Sequence, residues 1–221
     1  MLFRDRGEAA EKLAAALDAW RGRNPLVLGI PRGAVPMARV IAERLGGEVD
    51  AVLVRKLRAP GNPEYAIGSI AESGWSYVAP HAQSAGATAA YVESEKARQL
   101  EAIRQRRAAY TAHRAALDPT GRVVIVVDDG LATGSTMIAA LHGLRARRPA
   151  RLICAVPVGP AETLERIRAH ADEIVCLQTP ENFYAVGQFY RDFPQVEDEE
   201  VVKALTSRSP WPIAPKGVEG T

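Results

Sequence analysis

The chain has 221 residues, of which 47% are hydrophobic and 24% are charged, and its formal net charge is +2. This composition is that of an ordinary globular protein, long enough to bury a substantial core. So small a net charge gives no argument for nucleic acid or a membrane surface as a partner.

The first predicted elements are a helix, a strand and a second helix. Residues 7–20 carry leucines at helical spacing and predict an amphipathic helix. The apolar run 26–30 predicts a strand, and residues 37–45 predict the helix that follows it. Between strand and helix lies a short turn that contains Arg32 and Gly33. A guanidinium in such a turn can hold an anion as a planar fork.

The next stretch predicts a second strand at 51–54 that ends in the basic pair Arg55 and Lys56. Residues 57–66 are rich in proline and glycine, and we expect them to form a mobile flap. Two short apolar runs then flank Glu72-Ser-Gly74 and predict a β-hairpin. Residues 85–117 predict a long helical insertion whose apolar positions are sparse, so that one side meets solvent or a partner chain.

The most informative stretch runs from Val123 to Met137. Five β-branched residues, 123–127, predict a strand buried on both faces of a parallel sheet. Asp128 and Asp129 follow, and then the small-residue turn 130–136 leads into a helix. A turn at a helix start directs free N–H groups and the positive end of the helix toward one point, which suits a phosphate. Adjacent carboxylates at the same sheet edge suit the hydroxyls of a sugar.

The remaining chain alternates strands and helices, which predicts a parallel α/β sheet. Cys154 and Cys176 lie in two of these apolar runs, as expected for buried thiols in a reducing cytosol. We therefore expect a cytoplasmic protein, and we find neither a signal peptide nor an apolar run of membrane-spanning length. Residues 179–193 are dense in aromatic side chains, and 197–205 predict a short helix.

The stretch 123–137 resembles the PRPP-binding motif of the type I phosphoribosyltransferases, in which a hydrophobic strand, two acids and a loop ending Thr-Gly-x-Thr follow one another. The resemblance implies a single α/β domain over 1–221, with a parallel sheet flanked by helices. It also implies a helical insertion at about 85–117 and a C-terminal hood-like segment at about 179–206. The insertion could cover the active site or build a homodimer, and the sequence leaves both open.

The resemblance further implies transfer of ribose 5-phosphate from 5-phosphoribosyl 1-pyrophosphate (PRPP) to a nitrogenous base, with Mg²⁺ as cofactor and release of pyrophosphate. Asp128 and Asp129 would hold the ribose hydroxyls, directly or through water on Mg²⁺, and Arg32 and Gly33 would hold the pyrophosphate. Arg55 and Lys56 would close over it, with Lys56 among the catalytic residues. Phe183 or Tyr184 would stack on the base. The 5-phosphate would lie in the loop formed by Gly130, Leu131, Ala132, Thr133, Gly134, Ser135 and Thr136.

The resemblance also implies a non-proline cis peptide bond between Pro31 and Arg32, as the pyrophosphate turn of relatives often carries one. One position departs from the 6-oxopurine enzymes, whose loop carries an acid where this chain has Ala132. The acceptor base and any general base therefore stay open. So do two alternatives to an enzyme: a non-catalytic PRPP-binding regulator, and a partner subunit that uses the fold as a scaffold.

Overall fold

The computed structural model describes residues 2–112 and 115–207. Its strands are β1 (Leu26–Gly29), β2 (Glu48–Ala51), β3 (Val54–Ala59), β4 (Asn62–Ala71), β5 (Ser76–Val78), β6 (Val123–Val127), β7 (Arg151–Val158) and β8 (Glu173–Gln178). Its α-helices are α1 (Arg6–Ala16), α2 (Ala34–Leu45), α3 (Ala89–Tyr110), α4 (Ser135–Arg145), α5 (Ala161–Arg168) and α6 (Asp198–Thr206). Positions 113–114 of the expected insertion and the tail beyond 207 lie outside the described residues.

Five strands form a parallel sheet in the order β2-β1-β6-β7-β8. On one face, α1 and α2 pack through Leu13 and Ile41 against the strand residues Val27 and Ile125. On the other face, α4 and α5 pack against residues such as Val126. The three inner strands β1, β6 and β7 are buried on both faces, as continuous apolar runs require. The predicted parallel sheet between helix layers is confirmed, and all five strands end at one edge.

A second, antiparallel sheet of three strands, in the order β3-β4-β5, corrects two predictions. The strand expected at 51–54 does not exist as one element, because β2 ends at Ala51 and β3 begins at Val54 in the other sheet. The flap expected at 57–66 is mostly paired backbone on either side of a tight turn at 60–61. The hairpin around 72–74 is confirmed as β4 and β5.

The second sheet has its own core, formed with α3 and α6. Leu57 and Ile70 of the sheet pack with Ile103 of α3 and Val201 of α6. The insertion helix α3 therefore does not stand free in solvent, and its buried stripe includes the polar residue Glu95. Glu95 accepts hydrogen bonds from the Arg58 amide at 3.0 Å and from Gln99 at 2.9 Å, so its buried carboxylate is satisfied.

A buried ion network joins the two sheets and α3. The side chain of Asp50, at the end of β2, is 1% exposed and lies 2.9 Å from Arg107. Arg107 also binds both oxygens of Glu72, at 2.8 and 2.6 Å, and the carbonyl of Ala51 at 2.7 Å. One guanidinium therefore fixes the β4–β5 turn against the edge of the main sheet.

We expect Arg107→Met to lower the free energy of unfolding by about 3 kcal/mol or more, because it removes a guanidinium that is bound to the buried Asp50 carboxylate and to Glu72. The matched control is Arg104→Met on the same helix, which removes an exposed pair with Glu101 and should cost less than about 1 kcal/mol. Urea unfolding followed by circular dichroism measures both. Equal losses would contradict a structural role for this network.

Candidate active site

The turn after β6 stands at the carboxyl edge of the main sheet and is held there by β7. The amide of Asp128 reaches the carbonyl of Ala155 at 3.4 Å, and that of Leu131 donates to Val158 at 2.9 Å. The amide of Asp129 donates to the carboxylate of Asp128 at 2.9 Å. The turn is thus fixed before the loop that follows it, as a preformed site requires.

The loop 132–134 has two of its carbonyls bonded to α5, and its amides are available. The hydroxyl of Thr163 donates to the Ala132 carbonyl at 2.8 Å, and Arg166 donates to the Thr133 carbonyl at 2.7 Å. Within 2–112 and 115–207, no amide of residues 132–134 donates to a protein acceptor. A loop with free donors at a helix start is suited to an anion.

The loop ends where α4 begins. Gly134 has φ +70°, a left-handed conformation that favours glycine, and Ser135 follows as the first residue of the helix. No side chain of the described residues caps this helix end. The hydroxyls of Thr133 and Ser135 lie 3.1 Å apart, so two hydroxyl donors stand beside the first amides of the helix. The region predicted to bind phosphate therefore concentrates hydrogen-bond donors at one point.

The turn after β1 meets the acid pair directly. The Pro31–Arg32 peptide bond is cis, which confirms the prediction. At Gly33 a Cβ atom would overlap the carboxylate of Asp129, so only glycine allows the two turns to approach so closely. The guanidinium of Arg32 lies 2.9 Å from the carboxylate of Glu197, just before α6. The turn that contains the arginine predicted to hold pyrophosphate thus lies against Asp129, and the guanidinium of that arginine is paired with Glu197.

The two adjacent acids are not equivalent. The Asp129 carboxylate accepts a hydrogen bond on Oδ2 from Nε of Arg6 at 2.9 Å and forms an ion pair with Nη2 at 2.8 Å, whereas the Asp128 carboxylate bonds to the neighbouring amide. Burial and the charge of Asp129 raise the pKa of Asp128 well above its ordinary value, and Arg6 opposes this rise. The sequence predicted that both acids hold sugar hydroxyls; the structure pairs Asp129, and not Asp128, with Arg6.

The basic pair on β3 is divided between the two faces of its sheet. Arg55 donates to Gln99 of α3 at 2.7 Å, while Lys56 is exposed. Lys56 shares its strand face with Val54, which packs against the cluster that includes α4. In the part of the chain that the structure describes, no hydrogen bond or ion pair joins either side chain to the acid pair or the loop. The strand brings Lys56, rather than Arg55, to the α4 side.

The aromatic segment after β8 packs on the turn of β6. Val186 contacts the position of Gly130, and the hydroxyl of Tyr190 donates to the Asp129 carbonyl at 2.6 Å. Phe183 is half-buried and stacks on Phe189 at 5.4 Å between ring centroids. Tyr184 is 88% exposed. Of the two rings predicted to stack on a base, Phe183 is already packed against the core and Tyr184 is accessible.

Sequence reasoning missed four residues that shape this site: Arg6, Glu197, Thr163 and Arg166. Each acts on a predicted residue from a distant part of the chain. No local pattern marks them, since an arginine at a helix start or a glutamate before a helix is common. The sequence shows which residue stands at each position, but it does not show which distant residue that side chain contacts.

Two carboxylates at the sheet edge fit Mg²⁺ only together with substrate oxygens. Among the described residues no group of three or more histidine, cysteine, aspartate or glutamate side chains could hold a metal ion. Mg²⁺ commonly takes one or two carboxylates and completes its shell with water and phosphate. Asp128 and Asp129 therefore suit a magnesium ion that arrives with a phosphorylated ligand.

No helix within the described ranges has the length and apolarity to cross a membrane.

Comparison with known proteins places this geometry in a family. The model of the phosphoribosyl transferase domain matches residues 4–194. Two proteins of Mycobacterium tuberculosis, from strains CDC 1551 and H37Rv, carry the name "Putative phosphoribosyl transferase" and are each 40% identical over 205 residues. That match covers 92% of this chain and 46% of each relative, so the chain spans about half the length of these relatives.

A solved structure gives a similar result for the fold. The crystal structure of the protein TT1426 from Thermus thermophilus is 46% identical in sequence and superimposes with a TM-score of 0.80. The match covers 93% of this chain and 98% of that one. With a family model over most of its length and relatives of this similarity, the chain belongs to the phosphoribosyl transferase family.

Proposed function

We propose that the chain transfers ribose 5-phosphate from PRPP to a nitrogenous base and releases pyrophosphate. The observation that carries this proposal is the contact between the Arg32–Gly33 turn and the Asp129 carboxylate. It sets the turn that contains a cation suited to pyrophosphate against an acid suited to a ribose diol. The loop 132–136, which follows those acids in the chain, supplies amides suited to a phosphate. PRPP carries a phosphate on C5 and a pyrophosphate on C1, and the two hydroxyls of its diol lie between these positions on the ribose ring.

The reaction breaks the bond between C1 of the ribose and the pyrophosphate oxygen, which leaves with the electron pair. The new bond joins C1 to a nitrogen of the base, which then loses a proton. Between the two, C1 carries positive charge, so donors that hold the departing anion and acids near the ring lower the barrier. In this chain Arg32 would hold the pyrophosphate, and Asp128 and Asp129 would orient the hydroxyls. Mg²⁺, bound with PRPP, would neutralise charge on the leaving group.

Two further features support parts of this assignment. The β3–β4 hairpin carries Lys56 on the α4 side, from which it could close over the pyrophosphate and exclude water. Tyr184 offers an exposed ring to a flat base, and such stacking contributes about 1–3 kcal/mol. Glycosyl transfer of this type would make the chain a pentosyltransferase in nucleotide salvage.

A non-catalytic PRPP-binding regulator is the alternative, because the group that would accept the base proton is open. Ala132 is exposed at the loop position where 6-oxopurine enzymes carry an acid, so that position offers no side chain to accept the base proton. A regulator would bind PRPP with Mg²⁺ and release no pyrophosphate with any base. Turnover with one base of a panel would exclude that alternative.

We expect pyrophosphate release from PRPP and Mg²⁺ in the presence of one or more bases from a purine and pyrimidine panel. Asp129→Asn should abolish that release, because it removes the negative charge that pairs with Arg6 and one of the carboxylate oxygens available to the ribose hydroxyls. Asp118→Asn is the control, since Asp118 is 66% exposed in its pair with Arg147. Unchanged turnover in Asp129→Asn would contradict the site assignment.

Glu197 forms an ion pair with Arg32, the residue that we propose holds pyrophosphate. We expect Glu197→Gln to strengthen PRPP binding by about two- to fivefold, because the ligand no longer displaces an exposed ion pair from Arg32. Glu199→Gln, in the same acidic first turn of α6, is the matched control and should leave the dissociation constant unchanged. Weaker binding in Glu197→Gln would mean that Glu197 positions Arg32 instead of competing for it. Isothermal titration measures both variants.

A further inference from the structure

We propose that Arg6, at the start of α1, is a positioning residue of the PRPP site: it fixes the Asp129 carboxylate and supplies the counter-charge that the acid pair needs. This inference rests on the proposed function, because it concerns how the ribose acids are presented. It assigns a role to the N-terminal helix beyond that of covering the sheet.

The guanidinium of Arg6 contacts Asp129 and two neighbouring groups. Nε donates a hydrogen bond to Oδ2 of Asp129 at 2.9 Å, and Nη2 forms an ion pair with the same oxygen at 2.8 Å. Nη1 donates to the carbonyl of Pro194 at 2.6 Å, and the guanidinium carbon lies 3.7 Å from the centre of the Phe193 ring. The side chain is 14% exposed. These contacts hold the guanidinium against the Asp129 carboxylate, and we assign its effect on a ligand to that carboxylate.

Asp129 is held at three of its groups. Arg6 binds the carboxylate, Tyr190 donates to the carbonyl at 2.6 Å, and the amide donates to Asp128 at 2.9 Å. Phe193 links two of these contacts, because its ring stacks on Tyr190 with centroids 4.7 Å apart and also lies over Arg6. Such connected packing restricts the carboxylate to one orientation, with Oδ2 bound and Oδ1 left for a ligand.

The backbone places Arg6 where this contact forms. The amide of Phe3 donates to the carbonyl of Phe189 at 2.8 Å. The amide of Arg191 donates to the carbonyl of Phe3, also at 2.8 Å. The N-terminal segment is therefore fixed to the hood-like segment before α1 begins. Asp5 caps the helix by accepting a hydrogen bond from the amide of Glu8 at 2.8 Å, which sets the direction in which the Arg6 side chain leaves the helix.

Charge gives the contact its second function. Two adjacent carboxylates repel each other and also repel a ligand with several phosphate charges. Arg6 reduces the charge of the acid pair by one unit at 14–19% side-chain exposure, where screening by solvent is limited. Arg6 therefore favours the approach of PRPP.

The test compares Arg6→Gln and Arg6→Lys with Arg44→Gln in the whole chain, by isothermal titration of PRPP with Mg²⁺. We expect about 10- to 100-fold weaker PRPP binding in Arg6→Gln, the range found when a residue that orients a ligand-binding group is lost. Arg6→Lys keeps the charge and can still reach Oδ2 with one donor, so its affinity should lie between those of Arg6→Gln and the wild type. Arg44→Gln removes an exposed ion pair to Glu11 that also fastens α1, without contact to Asp129, and should bind as the wild type does.

Urea unfolding of the same variants separates positioning from general loosening. Arg6→Lys and Arg6→Gln both lose the Pro194 and Phe193 contacts and should be destabilised to a similar extent, whereas their PRPP affinities should differ. The inference is overturned if Arg6→Gln binds PRPP within twofold of Arg44→Gln, or if Arg6→Lys loses as much affinity as Arg6→Gln. Absence of PRPP binding in the wild type would instead overturn the proposed function and the inference with it.

Discussion

The carboxylate of Asp129 is the point on which the arrangement of this site depends. It touches the turn after β1 at Gly33 and the guanidinium of Arg6, and its residue bonds through the backbone to Asp128. Two adjacent carboxylates in a partly buried turn are unfavourable unless a cation compensates them. Arg6 provides that cation, so the turn can be both acidic and ordered before any ligand arrives.

This constraint explains why the two ends of the described chain meet over the sheet. The segment near Phe3 pairs with the segment near Tyr190, and this pairing brings α1 against the turn of β6. From the other side, Glu197 brings the start of α6 to Arg32. The β-strands position the acids and the loop, while the terminal segments supply the charges that balance them. The rigid part of the site and its electrostatic partners thus come from different parts of the sequence.

The features predicted from sequence are those whose information is local. The strand 123–127, the acids that follow it and the glycine turn are contiguous, and parallel pairing places such a turn at the sheet edge whatever the rest of the chain does. The prediction of one strand at 51–54 was wrong because it used only local information. The run is continuously apolar, yet its two ends belong to different sheets. Residues 57–66 contain turn-forming residues, but pairing with the neighbouring strand outweighs that local preference. Arg6 and Glu197 act across 123 and 165 residues, and nothing near them in sequence indicates their partners.

The central claim is that a sugar phosphate binds at the carboxyl end of β6, and a crystal structure with PRPP and Mg²⁺ tests it most directly. The account predicts density for the 5-phosphate on the amides of residues 132–136, with the ribose hydroxyls beside Asp128 and Asp129. It also predicts pyrophosphate on Arg32, with Glu197 displaced. Density for PRPP at another surface, with the Arg6–Asp129 and Arg32–Glu197 pairs intact and the loop amides unoccupied, would contradict the account.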